Sequence, residues 1–242
     1  MDKNSTSYVL IFVVSMTVIV ALSLTGVREI TKEVAEQNEA IFNKRAILAS
    51  VNDYLGMGEG VKVKDLSDQQ ILDVFDTKME QVVFDIKGNP VENIMAEKIK
   101  MEKEMKKPVG ERSLPLFIYE YEGEKFFILS VRGKGLWDEI WGYIALKNDA
   151  TTIAGASFDH KGETPGLGAE ITDNPVFSNN FKGKKIFSDG EFTSVWVRKG
   201  GARDQTYEVD GISGATVTAD GVDKMLREGL ALYLPFLKEQ RK

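Results

Sequence analysis

Hydrophobic and polar positions change period along this chain, and each change marks an element. "YVLIFVVSMTVIVALSLTGV", from Tyr8 to Val27, is an unbroken uncharged run whose length matches the roughly 20 residues a helix needs to cross a bilayer. A cleaved signal peptide is the rival reading, since Lys3 precedes the run and Ala21 and Ser23 form a weak small-residue pattern. The apolar stretch of such a peptide is only about 7 to 15 residues long, so the run reads as an uncleaved transmembrane helix. From Arg28 to Asn52, Ile30, Val34, Ile41, Ala46 and Leu48 recur among charges, the pattern of an amphipathic helix leaving the membrane. "LSDQQILDVFDTKME" predicts a further helix, capped by Ser67, with Ile71, Val74 and Phe75 on its buried face.

The period then shortens. "QVVFDIKGNP" reads as a strand closed by a turn at Gly88, Asn89 and Pro90. Residues 95–112 are rich in Lys and Glu, which predicts a solvated helix or mobile insertion rather than a binding patch. Beyond Leu114, "PLFIYEYEGEKFFILSVRG" gives two strands joined at Glu122 and Gly123, and "WGYIALKNDATTIAGASF" gives two more joined through Asn148 and Asp149. "FTSVWVRKG" adds another strand, and Val222, Met225, Leu226, Leu230 and Leu234 mark one face of a closing helix from about residue 219. The expected fold class is α+β: an N-terminal transmembrane helix followed by a twisted antiparallel sheet domain covered by helices. The chain divides accordingly into a tail at 1–7, the membrane helix at 8–27, a juxtamembrane helical region with a charged insertion at 28–112, and the functional domain at 113–242.

Composition narrows the chemistry. A length of 242 residues allows one sizeable core plus appendages, and a net charge of −6 gives no broad basic field for nucleic acid. Zero Cys excludes disulfides and thiolate-held clusters, and the lone His160 excludes a His-cluster metal site, so no metal site is expected. Lys3 on one side of the apolar run and Arg28 and Lys32 on the other leave its orientation unset by charge.

Three glycine-containing stretches could carry chemistry: "GKGLWDEIWGY", "HKGETPGLGAE" and "DGISGATVT". None has the dinucleotide glycine register or the Gly-Lys-Ser/Thr of a P-loop. The closest approach to a nucleophile elbow, "GISGA", has its second small residue out of register. A triad hydrolase is therefore a poor reading, and His160 is expected to fix the loop before Glu163 by hydrogen bonding. In the third stretch Ser213, Thr216 and Thr218 crowd together just before the closing helix. Thr218 falls where an N-cap would, but one hydroxyl suffices for a cap. Gly211, Gly214 and Ala215 call for something that approaches the backbone closely.

"SGATVT" at 213–218 is similar to the flavinylation motif Ser/Thr-Gly-Ala-Thr-x-Thr. With "HKGETPGLGAE" and "GKGLWDEIWGYIAL" it resembles the FMN-binding domain of the C subunit of the sodium-translocating NADH:quinone oxidoreductases, over the anchor and roughly residues 125 to 235. The resemblance implies that a flavin transferase uses FAD to esterify FMN, through its phosphate, to Thr218. It also implies that Asp210, Ser213, Gly214, Ala215 and Thr216 serve the phosphate end. Thr164, Gly166, Leu167 and Gly168 would then lie against the isoalloxazine, with Trp137 walling the same pocket. The expected role is electron relay between other subunits of a membrane redox complex. The resemblance further implies that no catalytic residue acts in turnover and that the domain lies on the periplasmic side of a bacterial inner membrane. The related G subunit of the ion-translocating ferredoxin:NAD oxidoreductases shares anchor and motif but tends to be shorter. A membrane-anchored scaffold in which the hydroxyls merely cap a helix is the reading from another class.

Overall fold

The computed structural model describes residues 5–58 and 60–241; Lys3 and most of the expected 1–7 tail lie outside them. The first helix, α1 (Thr6–Ala49), is one element of 44 residues rather than a membrane helix followed by a separate amphipathic one. No Pro interrupts it and its only glycine, Gly26, is tolerated at modest cost. The chain divides after Phe42 into two compact units. In the first unit the apolar side chains from Val9 to Val27 are exposed, and their helix is long and apolar enough to cross a membrane.

The second unit begins at Asn43 and is built on a sheet. After α2 (Asp68–Lys78) come β1 (Met79–Asp85), the short α3 (Met101–Glu104), β2 (Ser113–Tyr121), β3 (Glu124–Lys134), β4 (Glu139–Leu146) and β5 (Ile153–His160). The five strands pair in chain order and antiparallel throughout, a meander. Glu122 and Gly123 both have positive φ, which a two-residue hairpin of matched twist requires. The Ser67 cap forms as expected: its Oγ accepts the Gln70 N–H and the Gln70 side chain accepts the Ser67 N–H.

β3 is buried on both faces because helices cover both. On one side Phe126 stacks near Tyr54, Phe117 meets Phe75 of α2, and Ser157 Oγ donates to the Ala46 carbonyl at the end of α1. On the other side lie α4 (Glu170–Asp173), α5 (Pro175–Asn179), α6 (Thr216–Ala231) and α7 (Leu234–Gln240), whose apolar residues share one core with Leu129, Val131, Ile140 and Ile144. Between α5 and α6 run the short β6 (Phe187–Ser188), β7 (Glu191–Phe192), β8 (Trp196–Arg198) and β9 (Glu208–Asp210).

Four local expectations are corrected. Residues 95–112 are not a solvated helix but a series of short helical turns; Met101 enters the core, and the buried Glu104 accepts the Ser113 N–H at 2.9 Å. "FTSVWVRKG" does not add a strand to the meander. It is broken at Ser194, which has φ +61°, and β8 pairs in parallel with β9. The closing helix starts at Thr216 rather than near 219. It also ends at Ala231, because Pro235, which has no N–H to donate, opens α7 instead.

Tyr233, at that break, is fully buried, and its hydroxyl donates to the Pro115 and Ser130 carbonyls at 2.9 and 3.1 Å. Burial pushes its phenol far above the usual tyrosine range. Tyr233→Phe is expected to lower unfolding free energy by about 1 to 2 kcal/mol, the usual cost of stranding buried hydrogen-bonding groups, read as an earlier midpoint in urea.

Candidate functional site

Three loops converge at the start of α6, one from each of the stretches singled out in the sequence. The loop after β3 begins at Gly135, whose N–H donates to the Asp138 carbonyl. The loop after β5 holds a tight turn: Leu167 N–H donates to the Thr164 carbonyl at 3.1 Å, with Pro165 and then Gly166 (φ +73°) at its centre. Proline followed by a left-handed glycine is the type II pattern. A second turn, with Ser213 before its left-handed glycine, precedes α6, where Ala215 N–H donates to the Ile212 carbonyl and Gly214 has φ +77°. The two turns touch, since a Cβ placed on Gly214 would lie 2.9 Å from Leu167 Cδ2.

The capping account of the hydroxyls does not hold. Ala215 is the N-cap of α6 and no side chain caps the helix. The N–H groups of its first turn therefore keep no helical or capping partner and, with the positive end of the helix dipole, suit an anion. Thr218 lies within that turn and is 1% exposed. Its hydroxyl donates to Glu163 Oε2 at 2.6 Å.

Glu163 is itself 5% exposed. Its other oxygen accepts the Trp137 N–H at 2.9 Å, and its own N–H donates to His160 Nδ1 at 3.1 Å. His160 thus fixes the loop before Glu163 as expected. Two glycines make room for the carboxylate: a Cβ on Gly135 would overlap Glu163 Oε1, and one on Gly168 would overlap Oε2 and stand 2.6 Å from Thr218 Oγ1. Trp137 is 66% exposed, and its ring N–H donates to Thr164 Oγ1 at 3.1 Å. With Leu136, Leu167 and Val217 it leaves exposed apolar surface on these loops.

The motif turn borders a cavity of about 460 Å³ lined by Lys199, Gly201, Asp210, Ser213, Thr216 and Asp220 among others, within the usual size for a small-molecule site. Asp210, at the end of β9, accepts the Ala202 N–H at 2.7 Å and so ties the 199–202 loop to the motif. At the start of β9, Glu208 accepts the Arg203 N–H, the Arg198 guanidinium and the Asp204 N–H, which together hold its carboxyl down to about 2. On the far side of residues 210–213 a second cavity, of about 350 Å³, reaches Gly166, Glu170 and Val176.

The structure therefore brings Trp137, Thr164, Leu167, Gly168, Gly214 and Thr218 into one cluster, with Asp210, Ser213 and Thr216 around the adjoining cavity. Gly166 borders the second cavity: its φ of +73° is what the turn requires, and a Cβ there would meet nothing within 4 Å among the described residues. Glu163, Gly135 and Lys199 join these residues in the folded chain without being marked in the sequence.

The profile of the FMN-binding domain family matches residues 135–231, the span that runs from Gly135 through all three loops to the end of α6. An FMN-binding domain is thus the class that fold and site define. The C subunit of the Na⁺-translocating NADH-quinone reductase of Pseudomonas aeruginosa is 28% identical to this chain, over 98% of each. The crystal structure of that subunit from Parabacteroides distasonis matches with a TM-score of 0.74 at 39% identity, covering 85% of this chain and 96% of the other. The crystal structure of Shewanella oneidensis NqrC, at 24% identity and a TM-score of 0.69 over 86% and 99%, has the same fold. The chain belongs to the NqrC family, the C subunits of the Na⁺-translocating NADH-quinone reductases.

Proposed function

We propose that this chain is an electron-relay subunit of a membrane-bound, sodium-pumping NADH-quinone reductase, and that it carries FMN through a phosphoester on Thr218. Family membership supports the first part, and the FMN-binding profile over 135–231 supports the cofactor. The observation that carries the attachment is the state of the Thr218 hydroxyl. It sits in the first turn of α6, is not spent on capping, and is held by a buried carboxylate beside backbone N–H groups open to an anion.

Bound FMN supplies one-electron acceptance and donation between the redox centres of partner subunits. The chain's residues position it. Thr218 anchors the phosphate, Ser213 and Thr216 donate hydrogen bonds to its oxygens, and Gly214 and Ala215 keep the turn free of bulk. Asp210 holds the loop that walls the cavity. Trp137, Thr164, Leu167 and the glycines at 166 and 168 form the surface against the ring system. The apolar run at 8–27 anchors the chain in a bacterial inner membrane, with residues 113–242 forming the FMN domain on the periplasmic face. A flavin transferase is the partner in maturation.

Intact mass and peptide mapping of the membrane-purified chain, co-expressed with a competent flavin transferase, test this reading. One FMN ester is expected on the peptide containing Thr218, with complete loss in Thr218→Ala. An unmodified wild-type chain under those conditions overturns it.

A further inference from the structure

The pairing of Thr218 with Glu163 has no role in electron relay, because neither group needs to gain or lose a proton there. It is nonetheless a built feature. The carboxylate lies between Gly135 and Gly168, two positions where a Cβ would overlap its oxygens. The Trp137 N–H holds one oxygen and leaves the other for the Thr218 hydroxyl alone among the contacts described. A buried carboxylate 2.6 Å from a hydroxyl oxygen has the geometry of a general base.

We propose that Glu163 is the catalytic base, supplied by this chain itself, for its own flavinylation. The inference rests on the reading of Thr218 as the attachment site. In the reaction Thr218 Oγ attacks the riboflavin-side phosphorus of FAD and forms a new P–O bond. The pyrophosphate P–O bond breaks, AMP leaves with that electron pair, and the Thr218 proton passes to Glu163 Oε2. No electron is exchanged, and FAD is the only co-reactant. The Trp137 N–H and the Glu163 N–H to His160 keep the carboxylate in place while the transferase displaces the covering segment around Gly168.

The test is the rate at which purified apo chain gains the FMN mass from FAD and a flavin transferase. Wild type, Glu163→Gln and Glu163→Asp are compared, with melting of each chain measured alongside. Gln suits the site as a shape: its oxygen can accept from Trp137 while its amide faces Thr218, which reverses that hydrogen bond and removes the proton acceptor. Glu163→Gln is expected to lower kcat at least ~10²-fold, the low end for a positioned general base, with the transferase's KM for the chain unchanged and the melting temperature lowered only by the exchange of charge-assisted for neutral hydrogen bonds. Glu163→Asp, which keeps the carboxylate but draws it back by one methylene, recovers part of the rate. Wild-type kcat in Glu163→Gln, or a defect confined to KM, overturns the proposal. Should Glu163→Gln fail to fold, Glu163→Asp carries the test: kcat must fall at unchanged melting, and a wild-type rate overturns it. A wild-type chain that gains no FMN at all is a failure of the Thr218 reading instead, so the two are told apart.

Discussion

Gly168→Ala is expected to destabilise the folded unit by about 3 kcal/mol and to break the Glu163–Thr218 pair. The added methyl would overlap Glu163 Oε2, stand 2.6 Å from Thr218 Oγ1 and 3.1 Å from Glu163 Cβ. A flexible side chain could swing away from such a clash cheaply, but this one cannot. Gly135 closes the opposite side of the carboxylate, and the Trp137 N–H holds it from the backbone. Overpacking of this kind costs about 1 to 3 kcal/mol, and weakening a hydrogen bond to a charged group adds about 1.5 to 3 kcal/mol. The restriction that alanine places on the unfolded chain returns only about 0.4 to 1 kcal/mol. For a chain of this size the net figure is a melting temperature about 9 °C lower. Gly183→Ala, outside the site, is the matched control: its cost, about 1 to 2 kcal/mol, comes from forcing a left-handed φ (+78°) on a residue with a Cβ. With open space around it, the Glu163–Thr218 pair survives. Thermal melting reads the first effect, and flavinylation by transferase and FAD reads the second. Equal melting and equal modification in both variants would mean that Gly168 is not packed against the pair.

That contrast shows what the sequence could and could not disclose. The meander was legible because each strand is short, regularly patterned and followed by its own turn chemistry, as at Glu122 and Gly123. The Ser67 box was legible because its partner is three residues away. All three site loops were legible as glycine-bearing stretches. Glu163 was not: its partner Thr218 is 55 positions along the chain, and no local periodicity encodes a meeting across that distance. The parallel pairing of β8 with β9 was hidden for a different reason: each contributes only three residues, too few to show a period. Thr218 was misplaced as a cap because a hydroxyl before a helical pattern is ambiguous over two or three positions. Only the turn at Gly214 fixes where α6 begins. The insertion at 95–112 was misread because Met101 and Glu104 are buried by tertiary contacts that its charge content does not suggest.

Gly221→Ala carries the same logic into the helix that bears Thr218, and there the sign itself is in question. In an exposed helix interior, replacing Gly by Ala gains about 1 kcal/mol. At Gly221 the new methyl would overlap the Lys134 carbonyl oxygen and lie 3.3 Å from its carbon and 3.4 Å from Gly135 Cα. These are backbone atoms at the end of β3 and in the loop behind Glu163, and no rotamer change can relieve them. The contact repeats along the helix: Met225 fills the space a Cβ on Gly133 would need, and a Cβ on Gly229 would come within 2.8 Å of Val131 Cγ1. Residues 221, 225 and 229 are successive positions on one helical face, so α6 lies on β3 at a distance set by small residues. Moving the helix out also loosens Val222, Met225 and Leu226, all essentially inaccessible. A clash of about 3 kcal/mol outweighs the propensity gain, and the expected net loss is about 2 kcal/mol, or about 6 °C in melting temperature. Because Thr218 is on α6 while Glu163 is held by the loop that starts at Gly135, the same displacement lengthens the hydrogen bond between them. Flavinylation is therefore expected to slow in this variant. In an equivalent helix-interior change at an exposed position, Lys224→Ala, both readouts should stay at the wild-type value. If Gly221→Ala instead melts higher than wild type, helix propensity governs and α6 has room to spare above β3.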